Sequence, residues 1–571
     1  MFFSNSYILL LFLVLPLYAP FGYMELGDAK VRLYVVAALV LGVLASGQAM
    51  WRRLRIAFFH VVREKRMCSA LAAGSGGGAC RPEQGSRKWI RVWRIALLLF
   101  LLSLLVSSLQ SADFGAAWRG SDGWLMGLLV QGLTILFAFF LSFPQTAEKE
   151  QKLLPYLKFC LYTGGGIVIL LGILNRFRIY PFEYMKVDSS FLSTLGNIDW
   201  FCGYLAVVVP YAMGDLYLSR VKALRHIQKK SLKHRFRISD LLIWGKMAFV
   251  AASFLLLILL GAESAYLVLG ASFLILFLAG VGSRQGRMAF LEQLISFCLL
   301  PAILHGFIMS CPQLLDSYLW EDETRISVFL IHDGYRILLV TAVAALLIWI
   351  YEFRRLHREA AELGLEAKTE EGGMTEWPEE AGAKKKEQTE RDGQETYGKK
   401  QQFLMCLVGF IVVALLLMLL ALQLFWPDFF SGRFGSSRGM IWQVCSRMFL
   451  NFDLPQKLVG VGPDCLYPYL LAHPEYREVL LAGFGVDLMN AHSVLLQRLL
   501  TTGIVGIVLY LLVVVMSFRI FCFRRGALPY IMMLSAYLLT GGVLFEQITN
   551  FPLMLALLGI GVREADRSAI L

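Results

Sequence analysis

Residues 403–426, FLMCLVGFIVVALLLMLLALQLFW, form one unbroken apolar run with a single amide, Gln423, and no charge. At about 1.5 Å per residue a helix of this length crosses the roughly 30 Å hydrocarbon core of a bilayer. Lipid offers no partner to a backbone N–H or C=O, so a run of this kind spans as a helix. Working outward in both directions, similar runs recur at 6–23, 31–50, 95–111, 124–143, 157–174, 200–218, 241–261, 264–281, 288–310, 336–353, 493–516, 528–545 and 548–563. The expected fold class is therefore all-α, a polytopic helical membrane protein of about fourteen spans. Merging either tight-turn pair, at Ala262–Glu263 or at Gln547, would give twelve. The first run lacks a basic start and a small-residue cleavage site, so it reads as a span rather than a signal peptide.

Composition points the same way. Of 571 residues 57% are hydrophobic and 17% charged, and the mean hydropathy is +0.61. A soluble chain carries about 25% charged residues, which excludes a soluble enzyme, a disordered protein or a secreted disulfide scaffold as the whole. The 10 cysteines show no CxxC and no Cys/His spacing suited to a metal, so neither a zinc site nor a disulfide framework is expected. No Walker motif or dinucleotide fingerprint occurs, and no cofactor is expected. The net charge of +12 is read by its placement. With a cytoplasmic N-terminus, 40 of the 54 Lys and Arg fall in inner segments, so both termini are expected in the cytosol of a multi-pass cell-membrane protein, with no nucleic-acid partner.

Five regions follow: N-terminal membrane helices over 1–353, a charged cytoplasmic linker over 354–402, a span at 403–426, an extracytoplasmic cap loop over 427–492, and C-terminal membrane helices over 493–571. The linker mixes 10 basic and 12 acidic side chains with few large apolar ones, a solvated composition expected to be helical only at its start. The cap holds aromatics, turn residues, two short helical patterns and nearly balanced charge, which suits a folded, partly helical loop over the membrane domain.

Candidate chemistry gathers in and around that loop. In SSRGMIWQVCSRMF (436–449) Ser437 is placed as an N-cap with Arg438 in the first helical turn. A helix N-terminus attracts anions and a guanidinium matches phosphate oxygens. Arg447, nine positions on, should face elsewhere at about 100° per residue. Both arginines also read as surface residues of an amphipathic helix. VGVGPDCLYPYL (459–470) is a turn followed by Tyr467 and Tyr469. In NAHSVLLQRLL (490–500) His492 stands where the loop enters a span. The positive end of the following helix should favour its neutral form, suited to accept a proton or hold a hydroxyl; an interfacial histidine bonded to a carbonyl is the plainer reading. Gln497 and Arg498 follow, Arg498 expected to snorkel or to pair with Asp487. The segment 180–210 adds Asn197 and Asp199 before Trp200, with Arg176, Arg178 and Lys186 on a side where cations are scarce. Glu263 and Ser264 form a tight outer turn.

Three of these segments, TLGNIDWFCGYLAVVVP (194–210), SRGMIWQVCSRMF with LVGVGPDCLYPYL (437–470), and AHSVLLQRLLTTGIVGIVLYLL (491–512), resemble the O-antigen ligase / O-antigen polymerase family of integral membrane glycosyltransferases. His492, Gln497, Gly503 and Gly506 match the family's most specific pattern, and FEQITNFPLMLALLGIG (545–561) is similar to its last helices. The resemblance implies a metal-independent enzyme that moves a glycan from a polyprenyl-pyrophosphate carrier to an acceptor hydroxyl on a glycan, lipid or protein at the outer membrane face. It implies Arg438 and His492 as catalytic residues, Arg438 at the pyrophosphate and His492 at the acceptor or reacting centre. Arg178, Asn197, Arg447, Tyr467 and Gln497 are the expected substrate-binding residues. Three positions depart from the pattern: Ser493 and Asp199 stand where asparagines are usual, and GAESAY (261–266) lacks the family's arginine, for which Arg178 or Arg447 would substitute. The carrier's tail would lie against the bilayer-facing spans. Polymerase and ligase share this chemistry, and the lack of a visible acceptor-binding repeat domain leans the expectation to polymerisation. A transporter or flippase for a polar or lipid-linked solute is the alternative, but the chain shows no internal repeat and gathers its polarity away from the span midpoints.

Overall fold

The computed structural model describes residues 2–63, 84–144, 147–229, 238–314, 326–370, 403–432, 434–485, 487–522, 524 and 526–568. The chain runs through α1 (Phe3–Leu17), α2 (Leu26–Arg63), α3 (Gln84–Gln110), the short α4 (Phe114–Arg119), α5 (Leu128–Leu141) and α6 (Ala147–Arg176). A two-residue antiparallel pair, β1 (Phe191–Leu192) with β2 (Gly196–Asn197), leads into α7 (Ile198–Lys229), α8 (Ile238–Leu260), α9 (Glu263–Gly280) and α10 (Arg284–Ser310). Helix α11 starts at Ile326–Phe329 and passes a π-turn into Tyr335–Glu370; the rest of the expected linker, 371–402, lies outside the described residues. After α12 (Phe403–Phe425) come four helices, α13 (Phe434–Asn451), α14 (Leu454–Val459), α15 (Leu466–Ala472) and α16 (Pro474–Phe484), and then α17 (Val494–Cys522), α18 (Leu528–Gly541) and α19 (Phe551–Ser568).

The protein is thus an all-α polytopic membrane protein. Among the described residues nine helices are long and apolar enough to cross a membrane, fewer than the expected fourteen or twelve. Neither tight-turn pair merges; of the five expected spans outside these nine, 31–50 lies within α2 and most of 548–563 within α19, and three are shortened with polar contacts at their ends. The run at 6–23 stops at Leu17, where the Lys30 ammonium donates to the carbonyls of Leu15, Pro16 and Tyr18 at 2.8, 3.0 and 2.8 Å. The run at 124–143 becomes helical only at Leu128, because Ser121–Met126 turns to meet Asp464. The run at 528–545 stops at Gly541, and residues 542–550 form a polar turn.

Helix α7 is the axis of the bundle: its most apolar stretch is 94% buried, against 17% for the corresponding stretch of α11. Helix α18 packs along α7, α17 along α3, and α19 against α5. Peripheral helices leave Val43, Ile303, Val340 and Phe410 exposed, an apolar surface that only lipid or protein would cover. Ionisable residues inside the bundle meet partners. Asp215 receives Lys158 at 2.6 Å and Lys246 at 2.7 Å, and Glu292 receives Arg220 at 2.6 Å.

Residues 427–492 hold four helices rather than two patterns. Asp453 and Gln456 form a capping box at α14, and Gly485 ends α16 in the left-handed conformation. This segment docks on a break in α17. There Gly503 adopts φ 66°, ψ −170°, a conformation open essentially to glycine. The freed carbonyls of Leu500 and Thr501 accept the N–H groups of Val461 and Gly462, each at 3.0 Å. The approach is so close that a Cβ on Gly503 would fall 2.4 Å from the Leu458 carbonyl carbon, and one on Gly460 2.3 Å from that of Thr501.

Candidate functional site

Docking of the 427–492 segment brings together side chains from three distant stretches of chain. The first is Arg438. Ahead of it Gly435, Ser436 and Ser437 all take left-handed backbone, at φ 57°, 55° and 69°, which costs roughly 1–2 kcal/mol for each non-glycine residue. Ser437 is therefore part of a left-handed turn and not the extended N-cap expected. Arg438 closes that turn by donating from Nη1 to the Gly435 carbonyl at 2.8 Å. Its Nη2 donates to Asp199 Oδ2, also at 2.8 Å, and its Nε is buried with no partner among the described residues.

The second stretch supplies Asp199, in the first turn of α7. Asn197 precedes that helix and accepts the Asp199 N–H on Oδ1 at 2.8 Å, so Asn197 works here as a cap that sets the carboxylate. Asp199, Arg438 and Arg176 all lie close enough for their charges to act on the Cys202 thiol. Arg176 is fully buried and donates to the carbonyls of Ser189 at 3.0 Å and Leu260 at 3.5 Å.

The third stretch carries His492, itself at φ 46°. Its backbone N–H goes to Asn490 Oδ1 at 3.0 Å, and the N–H of Ala491 goes to Gln497 Oε1 at 2.9 Å. Gln497 is thus a brace for the histidine loop. The imidazole stands edge-on to Phe545, with ring centres 5.1 Å apart, and its Nδ1 is buried with no partner among the described residues. Burial first, and the Arg438 charge second, lower the imidazole pKa to about 3. The ring is neutral, as expected, but burial rather than the helix end is the main cause. Beside these groups Gln547 donates from Nε2 to the Trp200 carbonyl at 2.7 Å, while its buried Oε1 has no partner among the described residues. Trp124 bridges Trp200 and Phe545 edge-on, at 5.1 and 4.8 Å between ring centres.

Other expected binding residues do not join this group. Arg178 is exposed just past the end of α6, and Arg447 is exposed on α13. Tyr467 hydrogen-bonds Asp487, whose carboxylate Arg477 holds at 2.7 and 2.9 Å. Arg498 neither snorkels nor meets Asp487. It is buried, ion-paired to Glu546 and hydrogen-bonded to Gln131 Oε1 at 2.5 Å, among the rings of Phe551, Phe100 and Tyr510 at 4.9, 5.2 and 5.3 Å. Glu263 is exposed, whereas Ser264 is buried at Cys202.

The sequence reading named Arg176 only as an outer-side cation, outside its site residues, and gave Asp464 no role. Arg176 is the second cation that approaches the group, and only the end of α6, which falls between it and Arg178, distinguishes the two. Asp464 is a clamp: its buried carboxylate accepts the N–H groups of Ser121 and Met126 at 2.9 and 3.0 Å, and Ser121 Oγ donates to its carbonyl at 2.8 Å. Burial pushes its pKa up to about 7.

Among the described residues no three His, Cys, Asp or Glu side chains gather where a metal ion could sit. Chemically, the group offers a guanidinium, a carboxylate and a neutral imidazole, with unfilled polar atoms between α7, α13 and the start of α17. No family model matches the chain, and neither a curated protein nor a solved structure is similar to it. What stands is a polytopic helical membrane protein with a strained polar site where its 427–492 segment docks.

Proposed function

We propose that the protein transfers a glycan from a polyprenyl-pyrophosphate carrier to an acceptor hydroxyl on the outer face of the cytoplasmic membrane, with both termini cytoplasmic. The observation that carries this reading is a pair of buried polar atoms, Arg438 Nε and His492 Nδ1, that have no partner among the described residues and lie in one electrostatically connected group. A buried unsatisfied polar atom costs about 1–3 kcal/mol, a cost that a ligand removes when it supplies an acceptor to one and a hydroxyl to the other. Arg438 remains charged at any physiological pH and would balance charge growing on a diphosphate leaving group. A neutral imidazole would align the incoming hydroxyl. The excess of Lys and Arg in the alternate segments that include the N-terminus supports the orientation.

The test is transfer in proteoliposomes holding the purified full-length protein, carrier-linked glycan and a defined hydroxyl acceptor. Arg438→Ala and His492→Ala are each expected to abolish transfer with membrane insertion intact. Near-normal transfer by the His492→Ala protein would defeat the assignment. Movement of intact carrier-linked glycan with no new glycosidic bond would replace it with a transport function.

A further inference from the structure

The carboxylate at the site has a job open to it. Arg438 holds Asp199 Oδ2 at 2.8 Å, while Oδ1 carries no hydrogen bond among the described residues and the side chain is 26% exposed. Its backbone is fixed by the Asn197 cap at the first turn of α7. A carboxylate kept solely as a counterion to a buried guanidinium would gain from presenting both oxygens to it, since fork-to-fork pairing is the strong geometry. Here one oxygen is engaged and the other is left without a hydrogen bond among the described residues, on a side chain that is partly exposed.

Charge decides between the two basic groups present. A proton placed on His492 would create a second buried cation beside Arg438. A proton placed on Asp199 leaves a neutral acid and releases Arg438 from its counterion. Building on the glycan-transfer reading, we infer that Asp199 is the general base of the reaction and that His492 orients the acceptor hydroxyl. The acceptor oxygen forms its bond to the anomeric carbon of the donor sugar, and its proton passes to Asp199 Oδ1. The bond from that carbon to the diphosphate oxygen breaks, and its electron pair stays on the diphosphate. The site loses one negative charge at Asp199 as the leaving group gains one, so Arg438 passes from the carboxylate to the diphosphate without a change in total charge. Asp199 then returns its proton to water.

The experiment uses the full-length protein in proteoliposomes with a polyprenyl-diphosphate-linked glycan as donor and a defined hydroxyl acceptor. Asp199→Asn keeps a carbonyl for Arg438 but cannot take a proton. Its kcat is expected to fall at least about 100-fold, the scale of general-base catalysis, with donor KM changed by no more than about threefold. Asp199→Ala opens space at the same place, and added formate is expected to restore its turnover at least about tenfold with no effect on Asp199→Asn. Retention of kcat by Asp199→Asn, or a loss carried by donor KM alone, would reduce Asp199 to a counterion and overturn the inference. If Asp199→Asn does not fold, failure of formate to restore Asp199→Ala has the same force. Lack of transfer by the wild-type protein would instead overturn the glycan-transfer reading itself.

Discussion

The docking of the 427–492 segment on α17 depends on Gly503, and the substitution Gly503→Ala tests it quantitatively. The residue sits at φ 66°, ψ −170°, where a side chain costs about 1–3 kcal/mol in backbone strain alone. A Cβ there would also lie 2.4 Å from the carbon and oxygen of the Leu458 carbonyl. These are backbone atoms, so the 458–462 turn itself must withdraw. Withdrawal breaks the hydrogen bonds from Val461 N–H to Leu500 and from Gly462 N–H to Thr501, each worth about 1 kcal/mol net. The sum is a local destabilisation of roughly 3–5 kcal/mol. Gly485→Ala is the control: its φ is +70° but nothing lies within 4 Å of the added carbon, so only the conformational cost of about 1 kcal/mol applies. Hydrogen exchange in detergent micelles is the assay, read at the amides of Val461 and Gly462. Gly503→Ala should accelerate both about 100-fold or more, the exchange equivalent of about 3 kcal/mol, and should lower Tm further than Gly485→Ala does. Equal effects of the two substitutions would show that the close approach does not hold the segment, and would refute the reasoning.

Two further predictions concern titration. Asp464 has a folded pKa of about 7 against an ordinary 3.8, so the unfolded chain releases this proton first; stability is then greatest below pH 3.8 and falls as pH rises toward 7, by roughly 4 kcal/mol for this group. Asp464→Asn should abolish that slope, and parallel wild-type and variant stability curves from pH 5 to 7 would contradict it. His492, with a pKa of about 3, should show no ring titration between pH 5 and 8 in NMR spectra of histidine-labelled protein. As a base with a lowered pKa it contributes stability that is lost as pH falls below about 6.5 toward 3; a titration midpoint near 6.5 would place the ring in water.

Much of the bundle was legible because hydropathy over twenty residues is a property of the chain itself. What shortened the helices was not local. The sequence 124–143 is apolar enough to be read as helix from its first residue, yet a carboxylate 338 positions away from Met126 accepts its N–H and holds Ser121–Met126 as a turn. Arg438 and His492 were legible as a cation at a helix start and an imidazole at a loop exit. Their setting was not. Ser436 and Ser437 have no strong preference for left-handed backbone, and that turn exists because Arg438 reaches back to Gly435 and across to Asp199. Arg498 shows the same limit. The expectation from sequence is that it snorkels or pairs with Asp487, eleven positions away, whereas the fold delivers Glu546 from the turn between α18 and α19.

Of the three stretches that meet at positions 199, 438 and 492, two are set by neighbours, Asp199 by the Asn197 cap and His492 by Asn490 with Gln497, while Arg438 is set by its own bond back to Gly435. Among the described residues the Arg438–Asp199 ion pair is the one that joins two of them directly. That division has an energetic consequence. Left-handed backbone at Ser436, Ser437 and His492 costs several kcal/mol together, of order 1–2 each, and no local preference of these residues repays it. The strain persists because docking at the Gly503 break over-determines the geometry. Side chains already held in place need not reorganise when a ligand arrives, which is the condition under which fixed charges and dipoles act most strongly on developing charge. The same argument orders the sensitivities of the site. Loss of one supporting contact should loosen the side chain it holds, whereas exchange of Asp199 for its amide should leave the supports in place and remove only what the carboxylate does.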